Sequence, residues 1–453
     1  MDQNFPKQVV DEQGNIHHLT KKIGEGGQGS VFATKNKKLA IKIIPGSSES
    51  KRMQLQHQLK RVSLFPLDDL PIAHPTVILR PPYLGYVMEL LSDMVPIETI
   101  IFKPTEKPDM AQWYQEGGSL GRRLYLLAKT AEVMAGLHGK GIVYADPSPK
   151  NIFVSEDINE SEVWLIDADN LQFQSSATTS IYTPGYGAPE LFAGRGVVNT
   201  LTDSYAFAVM AFLVLSGGTH PLEGDMVIDG EPELQEKAWR GELPWIDDPD
   251  DTSNFCSYGL PRQIVLSKKL QELCQECFGS GLNNSQKRPG IVKWVEYLYK
   301  AADMTIPCPE CGSTFYAKNS VCSWCDQPRK NFMLVNVKNW EPEKQGVTKE
   351  SPSINALVLS HQKPLTLSSR ITQGLSGKQG QEKCLQMTYV EGKIEVSILA
   401  GGPYWVSKTN GTKLQEIKGK IKIPYPAQKQ VSDWCLHFGL MDRHHRVALL
   451  EAQ

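Results

Sequence analysis

The sequence predicts an α+β fold of two lobes, a strand-rich one followed by a helical one, with a small cysteine-bearing ribbon and a small mostly-β domain behind them. Three observations predict it. Between Leu19 and Ile44, short β-favouring runs (SVFAT, LAIKII) alternate around glycines. From Leu120 to His138, apolar residues recur at helical spacing, and Gly139 to Gly141 end the pattern. After Cys384, period-two alternation returns in CLQMTYV, KIEVSIL, YWVSK, KIKIPY, WCLHFGL and HRVALLE.

Taken in order, residues 1–18 form an N-terminal segment and 19–91 the strand-rich lobe. Within that lobe Met53, Leu55, Leu59, Val62 and Leu64 are spaced as a helix, and Pro75 to Leu91 returns to strand character, ending in GYVMELL. Residues 92–304 form the helical lobe, with further helices expected over Asp203 to Leu215, Lys268 to Phe278 and Ile291 to Ala302. Residues 305–330 hold the cysteine ribbon. Residues 331–380 are expected as a linker or partly ordered segment, since about 337–380 is rich in Lys, Gln, Ser, Gly and Pro, and 381–453 as the β-rich domain, with 335 as an alternative start.

The chain has 453 residues, 40% hydrophobic and 22% charged, which supports two to four domains. A formal charge of −2 offers no bulk attraction to nucleic acid or to an anionic membrane, and neither is expected as a partner. The start, MDQNFPKQVVDEQGN, carries Asp2, Asp11 and Glu12 where a secretory signal needs a basic end and an apolar core, so a cytoplasmic protein is expected. Its longest strongly apolar run, Ala206 to Leu215, is about half of what a membrane-spanning helix needs. Nine cysteines, four of them in two close pairs, fit a reducing compartment with a metal site better than a disulfide scaffold.

The chemistry is concentrated in an ordered series of motifs. Gly24-Glu25-Gly26-Gly27-Gln28-Gly29-Ser30-Val31 can bring backbone N–H groups close to an anion, although alone such glycines also make an ordinary hairpin. Lys42 follows in the strand-like LAIKII. After the long helix comes Tyr144-Ala145-Asp146-Pro147-Ser148-Pro149-Lys150-Asn151, then the apolar strand Val163 to Ile166 running into Asp167-Ala168-Asp169. Thr183-Pro184-Gly185-Tyr186-Gly187-Ala188-Pro189-Glu190, Asp203 and Arg288 complete the series, which covers about 265 residues.

From about Leu19 to Ala302 these motifs resemble the eukaryotic-type (Hanks-like) protein kinase superfamily. The resemblance implies a bilobal kinase-like fold that binds ATP with Mg²⁺ or Mn²⁺. It places Gly24, Gly26, Gly27, Gly29 and Val31 over the nucleotide, with Met88, Glu89 and Leu91 at the end of a neighbouring strand. Lys42 would hold phosphates, Asp146 would orient and deprotonate the acceptor hydroxyl, and Asn151 and Asp167 would ligate the metal. Glu190, Asp203 and Arg288 are assigned to the framework. Thr183 tilts the acceptor towards Ser or Thr of a protein substrate or regulator, and the catalytic loop looks like that of bacterial members acting beside a cognate phosphatase.

The chain also departs from the family. The helix after Lys42 should offer a glutamate to orient that lysine, yet Ser50 to Phe65 holds no acid, and Gln54, Gln56 and Gln58 are the nearest substitutes. Tyr144 and Ala145 replace the usual His and Arg, which implies a non-RD type without the cationic partner for a phosphorylated activation segment. Asp169, where the family has glycine, is expected as a turn residue in preference to a second metal contact. All metal-binding positions are kept, which favours an active enzyme over a nucleotide-binding pseudokinase scaffold.

Cys308-x-x-Cys311 and Cys322-x-x-Cys325, separated by ten residues, suit a closed, structural zinc site of four thiolates. Cys274 and Cys277 are expected in a helical core instead. In the last segment, Asn410-Gly411-Thr412 resembles part of a forkhead-associated phosphopeptide-binding domain, and Asn-Gly is expected there as a hairpin turn. Arg443-His444-His445-Arg446 is expected as a polar turn.

Overall fold

A computed structural model describes residues 5–26, 29–46, 48–107, 109–178, 180–344, 347, 352–409 and 413–453. The first lobe is a six-stranded antiparallel sheet built from β1 (Gln8–Val10), β2 (Ile16–Gly26), β3 (Gly29–Thr34), β4 (Leu39–Ile44), β5 (Val77–Ile78) and β6 (Leu84–Glu89), in the order β1-β2-β3-β4-β6-β5. Helix α1 (Glu49–Val62) crosses behind it and buries Leu59 against Ile78, Leu84 and Tyr86. It starts one residue earlier than the apolar spacing indicates, at Glu49, whose side chain is exposed.

Strand β7 (Met94–Pro96) leads into α2 (Met110–Glu116) and α3 (Ser119–Gly139). Leu120, Leu124, Leu127, Ala131 and Met134 of α3 are fully buried in the largest core cluster. Strands β8 (Ile142–Val143), β9 (Ile152–Ser155), β10 (Val163–Leu165) and β11 (Gln172–Phe173) follow, pairing as β10-β9-β7 and β11-β8. The loops 144–151 and 166–171 are thereby set at the seam between the lobes. Short helix α4 (Pro189–Phe192) precedes α5 (Thr200–Ser216), which starts at an Asn199/Thr202 capping box and ends at Gly217 in the left-handed region. Cys274 and Cys277 are buried in the core, as expected.

Beyond the helix Ile291–Asp303, β12 (Thr305–Pro307) pairs with β13 (Thr314–Tyr316) in the cysteine ribbon. The remaining strands form two antiparallel sheets that share one core. One is β15-β14-β23-β22-β19-β20 and the other β16-β17-β18-β21. Their ranges are β14 Phe332–Trp340, β15 Asn355–Ser360, β16 Leu365–Ser368, β17 Lys383–Val390, β18 Lys393–Ile398, β19 Trp405–Lys408, β20 Gln415–Glu416, β21 Lys420–Pro424, β22 Val431–His437 and β23 His445–Ala452. Met333, Val335 and Val337 of β14 lie in the same cluster as Leu385, Met387, Ile394 and Val396.

The linker expected over 331–380 therefore carries three strands. Its composition averages the polar residues around 341–352 with the buried alternation of Met333, Val335, Val337, Leu357 and Leu359. The expected polar turn Arg443–Arg446 is partly strand: His445 and Arg446 belong to β23, where Arg446 donates to the Arg370 and Ile371 carbonyls at 2.6 and 3.0 Å. Asn410-Gly411-Thr412 lies outside the described residues.

Ribbon and sandwich both dock on the helical lobe through α3. Gly121, where a Cβ would stand 2.9 Å from Thr305 Oγ1, lets the ribbon approach, and its N–H donates to Thr314 Oγ1 at 2.7 Å. Trp324 stacks on Tyr114 at 4.9 Å, and Arg123 covers Tyr114 at 3.7 Å. From the sandwich, the Gly377 N–H donates to Glu132 Oε1 at 2.7 Å, while Tyr299 donates to Glu132 Oε2 at 2.8 Å.

Candidate active site

The glycine hairpin is the β2–β3 turn. Gly24 and Gly26 end β2, and Gly29 and Val31 begin β3; Gly27 lies outside the described residues. Gly29 has φ +143°, and a Cβ there would sit 2.5 Å from the Ile43 carbonyl oxygen, so only glycine fits. Lys42 is in β4, with Val31 as its register partner on one side and Tyr86 on the other. Met88 and Glu89 close β6, and Leu91 follows it.

The lysine side chain is buried, and its ammonium donates to Asp167 Oδ1 and, at 2.7 Å, to Asp169 Oδ2. Burial works against its charge, but the Asp169 and Asp167 carboxylates outweigh burial and hold its pKa above the ordinary lysine value. Asp167 adopts the left-handed region at φ 56°, a conformation that a short Asp side chain tolerates. The turn expected at Asp169 is present, with a side-chain contact beyond it. Asp169 sits in a short 3-10 turn, Ala168–Asn170, and its side chain is 4% exposed and turns inward onto Lys42. The signal was present in the sequence: two acids two residues apart after an apolar strand, and no acid in the body of α1.

Asp146 lies in the loop between β8 and β9. Its carboxylate accepts from the Thr183 N–H at 2.9 Å and from Thr183 Oγ1 at 2.8 and 3.0 Å. Burial raises its pKa, and the Thr183 bonds oppose that shift. Asn151 donates from Nδ2 to the Asp146 carbonyl and carboxylate at 3.1 and 3.2 Å, which turns its amide oxygen away from Asp146. Tyr144, in the usual histidine position, donates its hydroxyl to the carbonyls of Asn151 and Ile166 and so ties the two loops together.

A buried framework holds this loop. Asp203 accepts from the Tyr144 and Ala145 N–H groups at 2.8 and 3.0 Å and lies 3.0 Å from His138 Nε2. Ala145 is thereby kept at φ 80°, where a non-glycine residue costs about 1–2 kcal/mol. Arg288 grips Glu190 through two bonds of 2.7 and 2.8 Å.

The ribbon cysteines converge as well. Cys308 Sγ lies 3.6 Å from Cys325 Sγ, and Cys311 Sγ lies 3.7 Å from Cys322 Sγ; all four sulfurs lie within 4.8 Å of one another. Zn–S bonds of about 2.3 Å in a tetrahedron require S···S of about 3.8 Å, so the donor set fits zinc. The two knuckles are built alike: Gly312 and Asp326, each following a second cysteine, have positive φ and donate to the carbonyls of Cys308 and Cys322.

A sheet lobe over a helical lobe, with Lys42, Asp146, Asn151 and Asp167 gathered at the seam, defines the class as a two-lobed kinase catalytic domain. The sequence matches the family described as protein kinase domain over residues 17–299, and the chain belongs to that family. It is similar to the serine/threonine-protein kinase pkn2 of Myxococcus xanthus, 26% identical over 224 residues, or 46% of this chain and 25% of the relative. The serine/threonine-protein kinase Pkn1 of the same organism is 27% identical over 222 residues, 44% of this chain and 28% of the relative. The calcium/calmodulin-dependent protein kinase type 1B of Rattus norvegicus is 22% identical over 290 residues, 61% of this chain and 78% of the relative. The match thus spans about a quarter of the length of the Myxococcus relatives. Among the described residues, no helix is long and apolar enough to cross a membrane.

Proposed function

We propose that the chain transfers the γ-phosphate of ATP to a Ser or Thr hydroxyl of a protein substrate. The observation that carries this reading is the joining of Asp146, Asn151 and Thr183 in one hydrogen-bonded group. Asp146 would orient the acceptor hydroxyl and take up its proton. The Asn151 amide oxygen and the Asp167 carboxylate, both hard oxygen donors, suit Mg²⁺ or Mn²⁺, which when bound would neutralise phosphate charge. Lys42 would hold the phosphates beneath the hairpin of Gly24, Gly26, Gly29 and Val31, with Met88, Glu89 and Leu91 bordering the nucleotide.

The enzyme is of the non-RD type in this reading. Ala145 puts a methyl group where an arginine would meet a phosphorylated activation segment, so activity does not wait on that modification. Zinc on Cys308, Cys311, Cys322 and Cys325 is structural, and the ribbon and β sandwich recruit a substrate or regulator, a cognate phosphatase being the partner that the catalytic loop's resemblance implies.

The test is transfer from labelled ATP with Mg²⁺ to the chain itself and to casein, beside an Asp146→Ala control. Metal-dependent labelling of Ser or Thr that falls at least a hundredfold in the control is expected. Labelling that persists in the control overturns the role of Asp146. ATP binding without any transfer leaves a nucleotide-binding scaffold.

A further inference from the structure

We propose that Asp169 is the positioning residue for Lys42, taking over from the metal-binding loop the task that the resemblance assigns to a glutamate on the following helix. The inference rests on the kinase reading above and deepens it. Helix α1 carries Glu49 as its one acid, at an exposed first-turn position, and its inward-facing polar contact is Gln58. That amide does not address the lysine. Its Nε2 donates to the backbone carbonyls of Asp169 and Leu171 at 3.2 and 2.8 Å. The helix therefore grips the loop, and the loop grips the lysine through an ion pair of 2.7 Å inside the protein.

Two physical consequences separate this arrangement from an incidental ion pair. First, the loop presents two carboxylates to one ammonium, and they differ in exposure: the Asp167 side chain is 25% exposed and the Asp169 side chain 4%. Asp167 is the one able to turn towards a metal, and Asp169 is the one that stays with Lys42 when it does. Second, lysine orientation depends on the conformation of residues 167–171, which α1 holds through two neutral hydrogen bonds from Gln58 to backbone carbonyls. A displacement of α1 then loosens the loop without removing the lysine's charged partner.

The test uses the full chain in four forms: wild type, Asp169→Asn, Lys42→Met and the double variant. MgATP affinity is measured by calorimetry, kcat and KM for ATP by transfer to casein, and integrity by thermal unfolding. Asp169→Asn is expected to weaken MgATP binding and to lower kcat/KM about tenfold or more. The double variant is expected to be no worse than Lys42→Met alone, since Asp169 acts through that lysine. Asp169→Gly, which installs the family's residue, replaces Asp169→Asn should that variant not fold.

Costs that add in the double variant, or wild-type affinity and kinetics in Asp169→Asn, overturn the inference. If the wild type binds MgATP but transfers nothing, the transferase reading fails, while the coupling between Asp169 and Lys42 is still decided by the affinities. If it does not bind MgATP, both readings fall.

Discussion

The Arg370 guanidinium meets the Asp303 carboxylate at 2.9 and 3.0 Å and lies over the Tyr299 ring at 4.2 Å. The pair joins the β sandwich to the last residue of the helix Ile291–Asp303, with the Asp303 side chain 5% exposed. Removing the cation alone leaves a buried carboxylate without its ion-pair partner. Arg370→Met is expected to cost about 3 kcal/mol and to loosen the sandwich from the helical lobe. Urea unfolding and limited proteolysis of the full chain report this, and an unchanged midpoint with unchanged cleavage would show that the pair holds nothing together.

Zinc retention gives a second expectation. The wild type should contain close to one zinc per chain, and Cys311→Ser clearly less, because losing one thiolate leaves the fourth position to water and weakens the site. Trp324 lies between two of the ligands and stacks on Tyr114, so metal loss should also shift tryptophan emission to the red. Metal content equal to wild type in the variant would contradict the four-thiolate site.

The Thr183 hydroxyl donates its one proton to the Asp146 carboxylate, 2.8 and 3.0 Å from its two oxygens, and a bond to a charged group contributes about 1.5–3 kcal/mol. Thr183→Ala should therefore lower kcat/KM by about ten- to a hundredfold, with Thr183→Ser recovering most of it. Initial rates of phosphate transfer at varied ATP measure both. Equal rates in the alanine and serine forms would rule out the hydroxyl as the source.

The sandwich should weaken in acid. His437 is fully buried, with Nε2 3.0 Å from Ser407 Oγ and 3.3 Å from Cys435 Sγ, and Nδ1 2.9 Å from His445 Nε2. Burial, followed by the charge of His445, pushes its pKa down to about 4. The unfolded imidazole titrates near 6.5, so between about 6.5 and about 4 the unfolded chain binds the extra proton. Stability is then complete above this window and is lost as pH falls through it, by up to about 1.4 kcal/mol per unit. Urea midpoints at pH 7 and pH 4.5 should separate for the wild type and draw together in His437→Gln; equal separation in both would exclude His437 as the cause.

Much of the site was legible because its chemistry is local in the chain. Asp146 and Asn151 sit five residues apart in one loop, and the strand before Asp167 announces the turn that exposes it. The partner of Lys42 was harder to see, because the contact joins residues 127 positions apart and the familiar acid is missing from the helix where it would be sought. Residues 331–380 misled for a different reason: polar composition was averaged across strands whose inward faces are apolar. The docking of the ribbon left no sequence signal at all, since Gly121, Thr305 and Thr314 are unremarkable until the backbone brings them together.

One helix, α3, is a shared wall of three bodies: it lines the catalytic core with its leucines, receives the ribbon at Gly121 and receives the sandwich at Glu132. A chain shortened after residue 304 would uncover Tyr114 and strip the Gly121 amide and the Glu132 carboxylate of these partners. A ribbon or sandwich exchanged for another would have to supply the partners that Gly121 and Glu132 have here.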